Sequence, residues 1–260
     1  MNSSPPPPSS RLPLELYRTI VADVTAQGDL YSLLLTCKAF YHEAERALFQ
    51  NLLVKDDPRP LERITSDPRL AHLVLALDLT IGIRTTLPVA NSALRAATRI
   101  RSLRLDFVPG SGVAALEFLV EGVTFKLRHF SSKIGMRLAA RKFFASQTEI
   151  IKLDLSGNET SVPHEVFKPS SHPHLTTVGL GSPASAVMPL VAGRSGIVRL
   201  RARITTVERL DDSTALKALS IRGTYRSPAP TSLHDKFPNL TYISARCDTV
   251  SYVPFTWCFA

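Results

Sequence analysis

Apolar residues recur along this chain with two periods, and the change from one to the other divides it. From Arg11 to Val54 the spacing is helical. Leu16, Ile20 and Val24 recur every four residues and so share a stripe on one helix. Leu12-Pro13 opens that helix, with proline at or near the first helical position, where its missing N–H does no harm. Gly28 reads as a stop and Asp29 as the N-cap of a second helix carrying Leu30, Leu33, Leu34 and Cys37. A third helix carries Phe40, Ala44, Ala47 and Leu48. Residues 55–69 are polar and hold three prolines, which predicts a connector with at most one helical turn near Leu61–Ile64. Beyond it the period shortens to two. Blocks of the form apolar-x-x-apolar-x-apolar start at Leu70, Ile100, Ile150, Leu175, Ile197, Leu216 and Leu240, with a looser copy at Leu127.

Each block predicts a short strand, and one such strand cannot bury its inner face alone. Stacked beside identical neighbours it forms a parallel sheet with a leucine and isoleucine inner layer. Helical spacing lies between the blocks at 91–98, 113–120, 136–145 and 184–191, whereas 161–174 and 226–238 carry so many prolines that loops or single turns are expected. Starts 19 to 30 residues apart with an L-x-x-L-x-L core resemble leucine-rich repeats. The copies are degenerate, with asparagine at the expected place only at Asn158. A doubly wound α/β fold would also alternate strands and helices, but with longer apolar strands and longer helices. The fold class expected is α/β: a short three-helix head followed by an irregular repeat solenoid with a parallel sheet on its concave face. About eight repeats would fill 70–260, after a Pro/Ser-rich leader at 1–10, a helical module at 11–54 and the connector at 55–69. The apolar aromatic tail from Phe255 to Ala260 either folds over the last strand or belongs to a longer array.

The head holds more leucine than three short helices can hide from one another, and surplus apolar surface on a small bundle usually has a partner. Residues 11–54 resemble the F-box through Leu12-Pro13, Glu15-Leu16, Ile20, Leu30, Leu33, Cys37-Lys38 and Phe40. That family often has tryptophan where Phe40 stands. The resemblance implies docking of Leu12, Pro13, Glu15, Leu16, Ile20, Leu30, Leu33, Cys37 and Phe40 onto the adaptor subunit of SCF-type cullin-RING ubiquitin ligases. An F-box head followed by leucine-rich repeats is itself a family architecture. It implies a non-catalytic protein that recruits a target for ubiquitination.

Charge adds a second surface. The chain has 31 Lys+Arg against 22 Asp+Glu, a formal net charge of +9, which favours acidic partners through long-range attraction. Side chains alternate along a strand, so three positions per block project onto the open face. Taken from His72, Val74 and Ala76 in the first block to Tyr242, Ser244 and Arg246 in the last, they include eight Lys or Arg and two Asp. Arg199, Arg201 and Arg203 alternate along one strand, and Arg222 and Arg246 hold related positions on the next two. These five arginines are the candidate target-binding residues, suited by their forked geometry to an acidic or phosphorylated segment. A binding scaffold with no ligase role is the alternative, followed by a nucleic-acid binder, against which the lack of interleaved aromatics counts.

No enzyme, metal or cofactor chemistry stands out. Gly110-Ser111-Gly112 lacks the lysine and hydroxyl residue of a P-loop, no nucleophile elbow occurs, and His172-Pro173-His174 reads as a loop pair. Three cysteines without CxxC spacing suit a reducing compartment. With no long apolar run and no signal-like start, cytoplasm or nucleus is expected.

Overall fold

The computed structural model describes residues 12–82, 84–107, 115–132, 141–155, 170–180, 196–203, 215–222, 237–246 and 256–258. Its contacts divide the chain into two compact units, Met1–Leu52 and Leu53–Ala260.

The first unit holds α1 (Leu14–Asp23), α2 (Gln27–Leu34) and α3 (Lys38–Gln50). Pro13 takes the N-cap of α1, one position before the helix proper. The second helix starts earlier than its spacing suggests. Ala26 is the N-cap, so Gly28 and Asp29 occupy the first turn, where the Asp29 carboxylate favours the positive end of the helix dipole. Cys37 does not lie on α2 either: it is an extended residue leading into α3. Both α1 and α2 pack on α3, burying Val21, Leu30, Ala44, Leu48 and Phe49. The Tyr17 ring meets Phe40 edge-on at 4.8 Å.

The boundary between the units falls inside β1 (Asn51–Lys55). The expected connector is instead two helices, α4 (Arg59–Ser66) and α5 (Pro68–Leu73). Its prolines start helices rather than break them. Pro58 is the N-cap of α4 with Pro60 in the first turn, and Pro68 opens α5. The Asp67 carboxylate caps α5, accepting from the backbone N–H of Arg69 at 2.9 Å and of Leu70 at 3.4 Å. At the start of α4 the Arg59 guanidinium donates to the exposed Asp57 and holds its carboxyl below the ordinary value.

Strands and helices then alternate: β2 (Ala76–Ile81), α6 (Leu87–Ala96), β3 (Ser102–Phe107), α7 (Ala115–Val120), β4 (His129–Ser132), α8 (Arg141–Ser146) and β5 (Lys152–Leu155). After them come β6 (Thr177–Leu180), β7 (Arg199–Arg203), β8 (Ala218–Arg222), β9 (Tyr242–Arg246) and β10 (Thr256–Cys258). The class is therefore α/β. One sheet carries the ten strands in chain order. From β2 to β9 every pairing is parallel, and β10 lies antiparallel along the outer edge of β9. The helical spacings near 91–98, 113–120 and 136–145 became α6, α7 and α8. That at 184–191, Asn158, and most of the proline-rich stretches lie outside the described residues.

A single hydrogen-bonding step repeats along the sheet. The carbonyl just before each strand accepts from two successive N–H groups of the next block: Leu75 from Arg101 and Ser102, Arg101 from Arg128 and His129, and so on to Lys217, which accepts from Thr241 and Tyr242. The block frames follow from this step, and the first differs from the expected one. Leu70 and Leu73 belong to α5, and the residue equivalent to Ile100 is Val74. Val74, Ile100, Leu127, Ile150, Leu175, Ile197, Leu216 and Leu240 are all buried. The open-face positions of the first block are accordingly Ala76, Asp78 and Thr80, not His72, Val74 and Ala76.

On the described strands burial alternates, as in β2, where Leu77, Leu79 and Ile81 are buried and the residues between them half-exposed. One face of the sheet is covered and the other open, whereas a doubly wound sheet covers both. Phe130, Phe143 and Phe144 meet edge-on within the covered layer. Two buried amides tie consecutive blocks together. Asn91 donates to the carbonyls of Phe118, Leu119 and Glu121 at the end of α7. Gln147 accepts from the Leu127 N–H and donates to the Phe125 carbonyl.

Candidate binding site

In the first unit, Leu12, Leu16 and Ile20 form a ladder at four-residue spacing on and just before α1, and they remain 46%, 44% and 40% exposed. Pro13 and Glu15 beside them are exposed. Tyr31 and Leu35, four apart at the end of α2, are exposed too, Leu35 at 89%. The other expected docking residues divide. Cys37 is exposed and Leu33 and Phe40 are half-buried, but Leu30 is buried in the unit's own core. Tyr31 and Leu35 were missed because neither falls on the apolar set that defined the second helix.

In the second unit, pairing in register sorts the open face into rows. One row reads Ala76, Ser102, His129, Lys152, Thr177, Arg199, Ala218, Tyr242. The next reads Asp78, Arg104, Ser131, Asp154, Gly179, Arg201, Ser220, Ser244. Arg203, Arg222 and Arg246 share one register position on three neighbouring strands. Their side chains lie outside the described residues.

Arg199 and Arg201 line a cavity of about 600 Å³ over β5 to β9. Its lining includes small residues, Gly179, Ala218 and Ser220, and long ones, Lys152, Arg199, Lys217 and Tyr242. Arg201 reaches across the intervening strand β6 to Asp154, its Nη1 donating to Oδ2 at 3.0 Å. Glycine at 179 makes this possible, because a Cβ there would stand 2.8 Å from Asp154 Oδ1. The Asp154 side chain is only 17% exposed, and its Oδ1 is buried without a hydrogen-bond donor among the described residues. No carboxylate pairs with Lys152, Arg199 or Lys217 among the described residues. The cavity thus holds four cations and one acid, with the acid spent on Arg201.

Of the five candidate arginines the structure brings two into one cavity and adds Lys152, Lys217 and Tyr242. Lys217 was missed because it precedes the first strand position of its block. Among the described residues no three His, Cys, Asp or Glu group as a metal would require, and His172 is buried with Nε2 3.1 Å from the Phe144 carbonyl. No described helix is long and apolar enough to cross a membrane. No family model matches this chain, and no curated protein sequence matches it.

Proposed function

We propose that this protein is a non-catalytic recruiter of the F-box and leucine-rich-repeat type. Its helical head docks on the adaptor subunit of an SCF-type ubiquitin ligase, and the open face of its repeat sheet holds a protein target, in the cytoplasm or nucleus. One observation carries the reading: the ladder Leu12, Leu16 and Ile20 belongs to the motif that resembles the F-box, yet stands open to solvent rather than in the core of its own unit. Large apolar side chains spaced on one stripe are what a helix presents to a partner. The sheet supports the second half of the reading, since consecutive parallel strands with one uncovered, polar face supply a continuous platform for a target.

Capture of the ligase adaptor by the full chain tests the reading. Replacing Leu12, Leu16 and Ile20 together by alanine removes apolar contact and should weaken capture at least about a hundredfold, given roughly 1.5–3 kcal/mol per buried large side chain. Fold is checked by unchanged circular dichroism. Wild-type protein that fails to hold the adaptor leaves a scaffold without a ligase role, and a triple variant that holds it as well overturns the assignment of docking to this ladder.

A further inference from the structure

We propose that the rim of the sheet where its parallel strands begin binds the phosphate backbone of a nucleic-acid duplex. The rim lies outside the head and borders the open face, so this binding goes beyond the ligase reading and does not require it.

The repeated hydrogen-bonding step aligns the blocks beyond the strands themselves. Just before each strand, one residue lends its carbonyl to the next block. At that position stand Arg101, Arg128 and Lys217, and two residues earlier stand Arg99 and Lys126. The first strand position adds Lys152 and Arg199. All these side chains are exposed. Among the described residues, the one acid at these three positions is Glu149, 4.0 Å from Arg128. Seven cations thus meet one acid, and the rim holds most of the chain's formal surplus of +9.

Two of the cations are tethered without being neutralised. Arg99 Nη1 donates to the His72 carbonyl at 3.4 Å, and Lys126 Nζ to the Ser146 carbonyl at 2.7 Å. A carbonyl fixes the side chain but leaves its full charge, so less freedom is lost when an anion arrives. Arg101, Lys152, Arg199 and Lys217 have no carboxylate partner among the described residues.

Length and spacing choose the ligand. From β3 to β8 the array crosses five inter-strand steps of roughly 4.8 Å, about 24 Å in all. A duplex sets one negative charge about every 1.7 Å along its axis and is stiff over about 150 base pairs. It meets such an array already ordered, whereas an acidic peptide must be ordered residue by residue. A single strand needs aromatics for its unpaired bases, and Tyr242 is the one Phe, Tyr or Trp at these positions. A duplex keeps its bases stacked inside and loses nothing by their absence. A membrane surface is entered by large apolar side chains, and at these positions none but Tyr242 is exposed.

The test titrates the full chain with a DNA duplex of roughly two turns, the same duplex in RNA, a uridine strand of equal length, polyglutamate, and phosphatidylserine vesicles. Both duplexes should bind. About six contacts give a slope of roughly −5 in log affinity against log salt, a loss of about a thousandfold from 50 to 200 mM. Equal binding of DNA and RNA assigns recognition to the phosphates alone and a preference assigns part of it to helical form; either supports the proposal. Arg101→Ala with Lys126→Ala should weaken duplex binding at least about tenfold and make the slope shallower by about two. Arg18→Ala with Arg46→Ala removes the same charge from exposed positions on α1 and α3 and should leave binding within about twofold. Circular dichroism checks the fold of each variant. Tighter binding of the uridine strand, polyglutamate or vesicles overturns the proposal. So does an equal loss with the head pair, a salt-insensitive affinity, or no duplex binding at low salt. Duplex binding that persists when Leu12, Leu16 and Ile20 are replaced by alanine supports the rim, whatever becomes of the ligase role.

Discussion

On β2 and β3 the open face matches its charges between adjacent strands. Arg104 stands directly beside Asp78 in the ladder and comes within 3.6 Å of it. Further along the same row Arg201 and Asp154 are two strands apart, and their 3.0 Å bridge passes over Gly179. The first arrangement leaves little for a ligand, since each charge is met by its neighbour. The second opens a gap in the side-chain layer and gathers Lys152, Arg199 and Lys217 round it, with no carboxylate paired to them among the described residues. One repeated backbone therefore supports two different surfaces, and among the described residues the difference is set by a glycine and by which cations have a carboxylate beside them.

Three pairs of substitutions break or sharpen this comparison. The largest effects should be alike in both halves, because the covered layer is continuous beneath them. Leu105→Ala and Leu219→Ala each remove a fully buried side chain and should each cost about 2–5 kcal/mol in urea unfolding. A far cheaper Leu219→Ala would mean that the covered layer loosens beneath the cavity.

Next come two glycines that make room for an aspartate, Asp56 just past the end of β1 and Asp154 on β5. At Gly82 an added Cβ would meet Asp56 Cγ at 2.5 Å, and that carboxylate accepts from the backbone N–H of Arg84 and Thr85 at 3.0 and 2.8 Å. Gly82→Ala should cost about 1–3 kcal/mol through the N–H groups it strands. Gly179→Ala should cost less, roughly 1 kcal/mol, since the Asp154 side chain can swing aside and forfeit one ion pair. Thermal unfolding that ranks the two the other way would show Asp154 to be held more firmly than its single bridge implies.

The smallest effects separate the acids themselves. Asp78→Asn loosens an exposed pair 3.6 Å apart and should cost under about 1 kcal/mol. Asp154→Asn loses a shorter, less exposed bridge and should cost about 1–2 kcal/mol. The same change leaves the cavity one charge more positive, so it should tighten binding of an acidic peptide severalfold in calorimetry, while Asp78→Asn leaves it alone.

Much of the second unit was legible because its signal is local and periodic. Alternating leucines marked β3 to β9 within a residue or two, and the same alternation put Arg199 and Arg201 on one face. The failures have local causes as well. Leu70, Leu73 and Leu75 satisfy the strand pattern, but the capping carboxylate of Asp67 and Pro68 behind it commit the first two to a helix. Pro58 and Pro60 looked like breakers and proved to sit where a helix tolerates them. Asp29 after Gly28 has the sequence of an N-cap, but an acid serves equally well inside a first turn, where the structure puts it. In the head, helical spacing identified three helices but could not say which stripes face inward, and Leu30 turned in while Leu16 and Ile20 stayed out.

What the chain determines by itself is the covered side of the sheet, because a period of two in leucine and isoleucine has only one way to leave water. What the tertiary structure alone decided is the cavity. Lys152, Gly179, Arg201 and Lys217 meet only when parallel strands lie in one register, and the bridge from Arg201 to Asp154 joins residues 47 apart in sequence. Neither partner carries a local mark of that distance. Strand pairing, not spacing along the chain, sets which charges face one another.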